Sequence, residues 1–109
     1  MITTSLKFTQ LDPVSYRSLL EDKKGTIIDT RTPSEYAEYH LPHAINIDFY
    51  SLDFDRQIDV LDRELPYFIY CRTGSRSSVI LEMMKKQGFK EVYDLKGGII
   101  AWEVSNYQT

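Results

Sequence analysis

The fold of this chain is decided by one stretch, residues 66–77, which reads Pro-Tyr-Phe-Ile-Tyr-Cys-Arg-Thr-Gly-Ser-Arg-Ser. Its first part, 66–70, is rich in aromatic and β-branched residues and predicts a strand. Residues 75–87 then predict a helix, because four apolar residues form one stripe at helical spacing: Val79, Ile80, Met83 and Met84. The stretch is therefore a strand that leads into a helix, and Cys71 lies at the carboxyl end of the strand.

The segments on either side of this stretch alternate between strand and helix patterns. Short strands are predicted at 26–29, 44–47 and 91–94, and helices are predicted to begin at Asp12-Pro13, at Thr32-Pro33 and after Gly97-Gly98, the last carrying Trp102. In the first helix we expect Val14, Leu19 and Leu20 to be buried. Residues 48–64 predict a loop with one or two helical turns. This alternation predicts an α/β fold with a mainly parallel sheet of about five strands and helices on both faces.

Length, charge and cysteine content narrow the possible functions. The 109 residues fit a single domain, 1–109, and the formal net charge of -3 gives no electrostatic case for nucleic-acid binding. The one cysteine excludes an intramolecular disulfide and any cysteine-rich metal site, and we expect neither a metal nor a cofactor. Residues 1–12 lack the apolar core of a signal peptide, and no apolar run approaches the roughly 20 residues that span a bilayer. The sequence therefore predicts a cytoplasmic protein without membrane partners.

The loop that begins at Cys71 has the composition of an anion cradle. A turn containing Gly74 that runs into a helix N-terminus directs several backbone N–H groups into one concavity. Positive charge is added by Arg72 and Arg76, and hydroxyl groups are added by Thr73, Ser75 and Ser77. A free cysteine is often only a small core residue. Apolar packing does not call for so polar a loop, so we interpret Cys71 as a reactive thiolate.

Three stretches, in this order and spacing, resemble the rhodanese family over nearly the whole chain. Asp29-Thr30-Arg31, with Glu35-Tyr36 and His40-Leu41-Pro42, is similar to the N-terminal signature of the family. Residues 71–76 are similar to its six-residue active-site loop, and Leu95-Lys96-Gly97-Gly98-Ile99 with Trp102 is similar to its C-terminal signature. The resemblance implies a rhodanese-like three-layer sandwich. One difference is that Tyr39 and His43 stand where the family commonly has glycines, so this turn can follow a different backbone path.

The resemblance also implies a mechanism. The Cys71 thiolate would take a sulfur atom from a small-molecule donor such as thiosulfate, and would pass it to cyanide, a thiol, a thioredoxin-like protein or another sulfur-accepting protein. Arg72 and Arg76 would position the anionic donor, although Arg76 has the alternative role of bracing the loop from behind. Three residues near the site are interpreted as structural: Asp29, Arg31 and His40.

Three other functions remain open from the sequence. A cysteine-dependent phosphatase or arsenate reductase has five residues between its Cys and Arg, whereas this loop has four, Arg72 to Ser75. A regulatory rhodanese-like module often lacks the cysteine, which this chain retains. A protein-to-protein sulfur relay would use the same persulfide as a small-molecule enzyme.

Overall fold

The computed structural model describes residues 7–107. Five strands alternate with five helices along this part of the chain: β1 Lys7–Leu11, α1 Pro13–Lys23, β2 Thr26–Asp29, α2 Pro33–Glu38, β3 Ile45–Asn46, α3 Phe54–Asp59, β4 Pro66–Tyr70, α4 Ser75–Lys86, β5 Glu91–Leu95 and α5 Gly98–Tyr107. Residues 1–6, which belong to the segment 1–12 that is predicted to lack a signal peptide, lie outside the described residues.

The strands form one sheet in the order β1-β5-β4-β2-β3, and every neighbouring pair is parallel. The strand that precedes Cys71, β4, lies at the centre with β5 on one side and β2 on the other. Parallel strands end at the same edge of a sheet, so the segments that follow β2, β4 and β5 meet there. This edge is where the cysteine loop lies.

Helices cover both faces of the sheet. One apolar cluster packs α3 and α4 against one face, through Phe54, Ile58, Ile80, Leu81 and Met84. The other cluster packs α1, α2 and α5 against the opposite face, through Tyr16, Tyr36, Ile99 and Trp102. The predicted α/β class, the parallel sheet and the two helical layers are confirmed.

Several local predictions are wrong. The strand β1 is not predicted, because Lys7, Thr9 and Gln10 are exposed and its pattern resembles a polar loop until it pairs with β5. Val14 and Val79, predicted as core, are 66% and 58% exposed. Tyr16 is fully buried instead, since its hydroxyl donates to the Ile69 carbonyl at 3.1 Å.

Tyr39 and His43 stand where the rhodanese family commonly has glycines, and one of the two keeps a glycine-like backbone conformation. His43 has φ +68°, in the left-handed region that favours glycine. Tyr39 has φ −169°, which is extended backbone that any residue adopts. The backbone therefore retains the left-handed conformation at one replaced position only.

Candidate active site

Cys71 lies directly after the central strand, next to a carbonyl that is firmly held. The carbonyl of Tyr70 accepts two hydrogen bonds from Thr30, from its backbone N–H at 3.0 Å and from its hydroxyl at 2.9 Å. Both Thr30 and Cys71 are buried, and Cys71 is 4% exposed. The end of β4 and Thr30, which follows β2, thus fix the position of the thiol.

The sulfur of Cys71 is surrounded by hydrogen-bond donors from its own loop. It accepts the Gly74 N–H at 3.0 Å, the Ser77 N–H at 3.4 Å and the Ser77 hydroxyl at 3.3 Å. Gly74 has φ +99° and is the N-cap of α4, and Ser77 lies in the first turn of that helix, so both residues donate to the sulfur from the helix N-terminus. This arrangement stabilises negative charge on sulfur, as directed amides and a helix N-terminus do for an anion.

The C-terminal glycine pair holds the loop from the side. The N–H of Ile99 donates to the Cys71 carbonyl at 3.0 Å, and the N–H of Ile100 donates to the Arg72 carbonyl at 3.3 Å. Gly98 makes this contact possible, because a Cβ there would overlap the Arg72 carbonyl and lie 2.7 Å from the Cys71 carbonyl oxygen. The sequence places Gly98 in a signature but does not predict that it contacts the cysteine loop.

The two arginines of the loop are on the protein surface and point to different partners. Arg76 donates from Nε to the Tyr50 hydroxyl at 2.7 Å, and its guanidinium lies 5.3 Å from the ring centre of Tyr50 and 5.8 Å from that of Phe49. Arg72 borders a cleft of about 280 Å³ that is also lined by Arg31, Glu35, Glu38, Tyr39, Ile99, Ile100 and Glu103. The sequence does not predict the role of Tyr50, since this residue comes from the segment with the weakest pattern.

The remaining predicted loop residues divide by exposure. Thr73 and Ser75 are exposed, and their hydroxyl oxygens lie 3.5 Å apart. Gly74 and Ser77 are buried and contact the sulfur. The structure therefore brings two of the six predicted binding residues to the sulfur, and the other four side chains lie around it on the surface.

Asp29 and Arg31 form a buried ion pair behind the loop. The guanidinium of Arg31 contacts the Asp29 carboxylate at 2.7 Å and donates to the Tyr39 carbonyl at 2.6 Å. The Tyr70 hydroxyl donates to the same carboxylate at 2.6 Å, and burial together with this bond raises the pKa of Tyr70. Burial lowers the pKa of Arg31, but the hydrogen bonds and charge of Asp29 outweigh it, so the net direction is upward. These contacts hold both side chains in place, and the structural role of Asp29 and Arg31 stays a prediction.

His40 lies in the turn after α2. Its Nδ1 is 2.7 Å from the Tyr36 carbonyl oxygen, and its ring stacks on that of Tyr36 at 3.8 Å. The Tyr36 hydroxyl donates to the Ala44 carbonyl at 2.5 Å, next to β3. His40 and Tyr36 thus connect this turn to the chain next to β3, and the structural role of His40 stays a prediction.

Metal-binding clusters and membrane-spanning helices are both missing from the described part of the chain. Within residues 7–107 there is no group of three or more His, Cys, Asp or Glu side chains that could hold a metal ion. None of the helices in the same range combines the length and the apolar character needed to cross a membrane.

Comparison with known proteins adds three similarities. A family model described as "Rhodanese-like domain" matches residues 12–105. The chain is 33% identical over 98 residues to the thiosulfate sulfurtransferase GlpE of Actinobacillus pleuropneumoniae, a match that covers 90% of this chain and 89% of the relative. It is 32% identical over 95 residues to the tRNA uridine(34) hydroxylase of Pelagibacter ubique, covering 86% of this chain and 32% of that enzyme, so the chain spans about a third of its length.

A solved structure agrees with the fold. The crystal structure of a rhodanese-related protein from Thermoplasma volcanium superimposes with a TM-score of 0.76 at 25% sequence identity, covering 90% of this chain and 93% of that one. The predicted rhodanese-like arrangement of layers is therefore confirmed.

Proposed function

The chain belongs to the rhodanese-like domain family, and from this premise we propose that it is a sulfurtransferase that carries sulfur as a persulfide on Cys71. The observation that carries the proposal is the convergence of three donors, from Gly74 and Ser77, on the sulfur of the single cysteine. Relatives named sulfurtransferases, one of them a thiosulfate sulfurtransferase of similar length, support the same chemistry.

The proposed reaction is a double displacement. The Cys71 thiolate attacks the outer sulfur of thiosulfate, a new S–S bond forms on Cys71, and the S–S bond of the donor breaks with its electron pair leaving on sulfite. Cyanide or a thiol then attacks the terminal sulfur of the persulfide, and the Cys71 thiolate leaves. Each half-reaction begins or ends with a thiolate, so donors that stabilise this anion favour both.

The loop residues have distinct proposed roles. The N–H groups of Gly74 and Ser77 and the Ser77 hydroxyl stabilise the thiolate. Arg76, held by Tyr50, and Arg72, beside the cleft, provide positive charge for an anionic donor at the surface of the site. Both are proposed to act on donor binding more than on the reactivity of the thiolate.

The size of the loop favours sulfur over phosphate. Four residues separate Cys71 from Arg76, and the N–H groups of Gly74 and Ser77 lie within 3.4 Å of the thiol sulfur itself. A phosphatase loop must instead direct its amides at oxygens of a phosphate bound above the sulfur. Because two loop amides are already used on the sulfur atom, they suit a thiolate or a persulfide better than a phosphate.

Intact-mass spectrometry tests the proposal. After incubation with thiosulfate we expect a mass increase of one sulfur atom, followed by thiocyanate formation on addition of cyanide, and both should be absent in Cys71→Ser. Ser77→Ala removes a donor to the sulfur and should slow persulfide formation by roughly tenfold. Ser75→Ala removes an exposed hydroxyl that does not contact the sulfur and serves as the matched control.

The outcomes separate the candidate functions. Sulfur transfer that survives in Cys71→Ser would refute the mechanism, and hydrolysis of an aryl phosphate that depends on Cys71 would support the phosphatase instead. A protein relay would form the same persulfide but would transfer its sulfur faster to a thioredoxin-like thiol than to cyanide.

A further inference from the structure

A cleft between α1, the turn after α2 and α5 lies on the face of the sheet opposite α4. Its volume of about 470 Å³ is within the range of small-molecule sites, and its described lining residues include none from the cysteine loop, 71–77. Five apolar residues line its wall: Leu20, Ile27, Leu41, Pro42 and Trp102. Four polar residues form its rim: Arg17, Glu21, Lys24 and His43. The proposed sulfur transfer does not use this cleft.

Two rim residues have a backbone conformation that glycine adopts more easily. Within residues 7–107, Lys24 with φ +52° and His43 with φ +68° are the only residues other than glycine with a positive φ. Lys24 follows the last residue of α1, where its N–H donates to the Leu20 carbonyl at 2.8 Å and glycine is the usual residue. Residues held in this conformation lose stability, and they concentrate at active sites and ligand-binding sites. Since both line the same cleft, we attribute their retention to what their side chains do there.

The rim combines hydrogen-bond donors with a net positive charge. Lys24 and Arg17 are cations, Glu21 is the acidic residue among the described lining residues, and the His43 imidazole can donate a hydrogen bond in either protonation state. Arg17 donates one hydrogen bond to Asn106. None of the four rim side chains joins an ion pair within the described part of the chain. This balance favours a ligand with one negative charge and disfavours a cation.

We propose that the cleft binds a small monocarboxylate with an apolar body, such as a medium-chain fatty acid. The apolar body packs on the wall, and the carboxylate accepts hydrogen bonds from Lys24 and His43 at the rim. Positive charge and apolar surface are already adjacent there, because the Arg17 guanidinium lies 4.4 Å from the ring centre of Trp102. The proposal does not depend on the chemistry of Cys71.

Fluorescence of Trp102 tests the proposal, because this residue is the only tryptophan of the chain and lines the cleft. The probes are octanoate and octanol, which have the same chain length and differ in charge. Octanoate should change the fluorescence saturably and bind roughly tenfold more tightly than octanol. Lys24→Gly and His43→Gly should each weaken octanoate binding by roughly fivefold without affecting octanol. Both variants should fold, since glycine suits the backbone at either position.

Lys86→Ala is the matched control for the loss of one positive charge. Lys86 is exposed on α4, which packs against the other face of the sheet, so this variant should bind octanoate as the wild type does. Cys71→Ser should also bind octanoate normally, so a failure of the proposed sulfur transfer would leave this result intact.

Three results would overturn the proposal. The first is equal affinity for octanoate and octanol, and the second is octanoate binding that is unchanged in both glycine variants. The third is a change of Trp102 fluorescence on dilution of the protein alone, together with a dimeric mass in sedimentation. That result would assign the cleft to a second copy of the chain.

Discussion

Gly98 offers a direct test of how α5 holds the cysteine loop. Its φ is +64°, and a Cβ added there would overlap the Arg72 carbonyl and approach the Cys71 carbonyl oxygen to 2.7 Å. Both obstacles are backbone atoms, so the overlap cannot be relieved by a side-chain rotation. In Gly98→Ala the helix must move away from the loop, and the hydrogen bonds from Ile99 and Ile100 must lengthen.

The expected loss of stability follows from two contributions. A left-handed conformation costs a residue with a Cβ about 1–2 kcal/mol. Each of the two hydrogen bonds contributes about 0.5–1.5 kcal/mol to the free energy of unfolding. Gly98→Ala should therefore lose about 2–5 kcal/mol, which for a domain of this size lowers Tm by on the order of 10–25 °C.

Gly88 provides the matched control. Its φ is +91°, and a Cβ added there would meet no atom within 4 Å. Gly88→Ala therefore carries the conformational cost alone, about 1–2 kcal/mol. Thermal unfolding followed by circular dichroism gives both Tm values, and iodoacetamide alkylation reports on the loop. Gly98→Ala should melt well below Gly88→Ala and change the alkylation rate of Cys71, whereas Gly88→Ala should leave that rate unchanged. Equal Tm values for the two variants would refute the close contact between α5 and the loop.

Three further predictions concern stability. His43→Gly should raise the free energy of unfolding by about 0.5–1 kcal/mol, because glycine adopts φ +68° without strain and this gain exceeds the added entropy of the unfolded chain. Tyr39→Gly should lower the free energy of unfolding, because φ −169° suits any residue. The Tm of each variant distinguishes the two outcomes. Asp29→Asn breaks a buried ion pair and should cost about 3–5 kcal/mol in urea unfolding, against less than about 1 kcal/mol for Asp59→Asn in an exposed pair. Burial raises the pKa of Glu91, but hydrogen bonds from a lysine and a tyrosine outweigh it and lower the pKa overall. The ionised Glu91 carboxylate therefore stabilises the folded protein above the pKa of about 4.3 that Glu91 has in the unfolded chain, and this stabilisation is lost as the pH falls through the lower pKa of the folded protein. At that low pH the urea unfolding midpoints of wild type and Glu91→Gln should converge.

The sequence is sufficient to predict strands and helices whose signals lie within their own residues. The strand 66–70 combines aromatic and β-branched residues, and the helix after it has a stripe at helical spacing that the burial of Ile80 and Met84 confirms. The stripe is wrong at Val79, which is exposed, because hydrophobicity alone does not say which side of a short helix faces the sheet. Pairing with β5 creates β1, whose own residues carry only a weak strand signal from Phe8 and the β-branched Thr9.

Burial of polar side chains is the least predictable property of the fold. Tyr16 is a core residue because its hydroxyl reaches the Ile69 carbonyl, a partner distant in the chain. Tyr70 is buried for a similar reason, with Asp29 as its acceptor. A hydroxyl group lowers the expectation of burial when the sequence is considered by itself, and only the tertiary structure supplies the hydrogen bond that compensates it.

The same distinction separates the predicted part of the site from the rest. Cys71, Gly74 and Ser77 lie within one loop, and their interaction depends on the local geometry of a strand that turns into a helix, so their types and spacing are enough to indicate an anion cradle. Gly98 acts on that loop from α5, and its contribution exists only because the start of α5 packs against the loop carbonyls of Cys71 and Arg72. The sequence by itself therefore indicates which residues surround the sulfur within the loop, but not which distant backbone groups hold that loop in place.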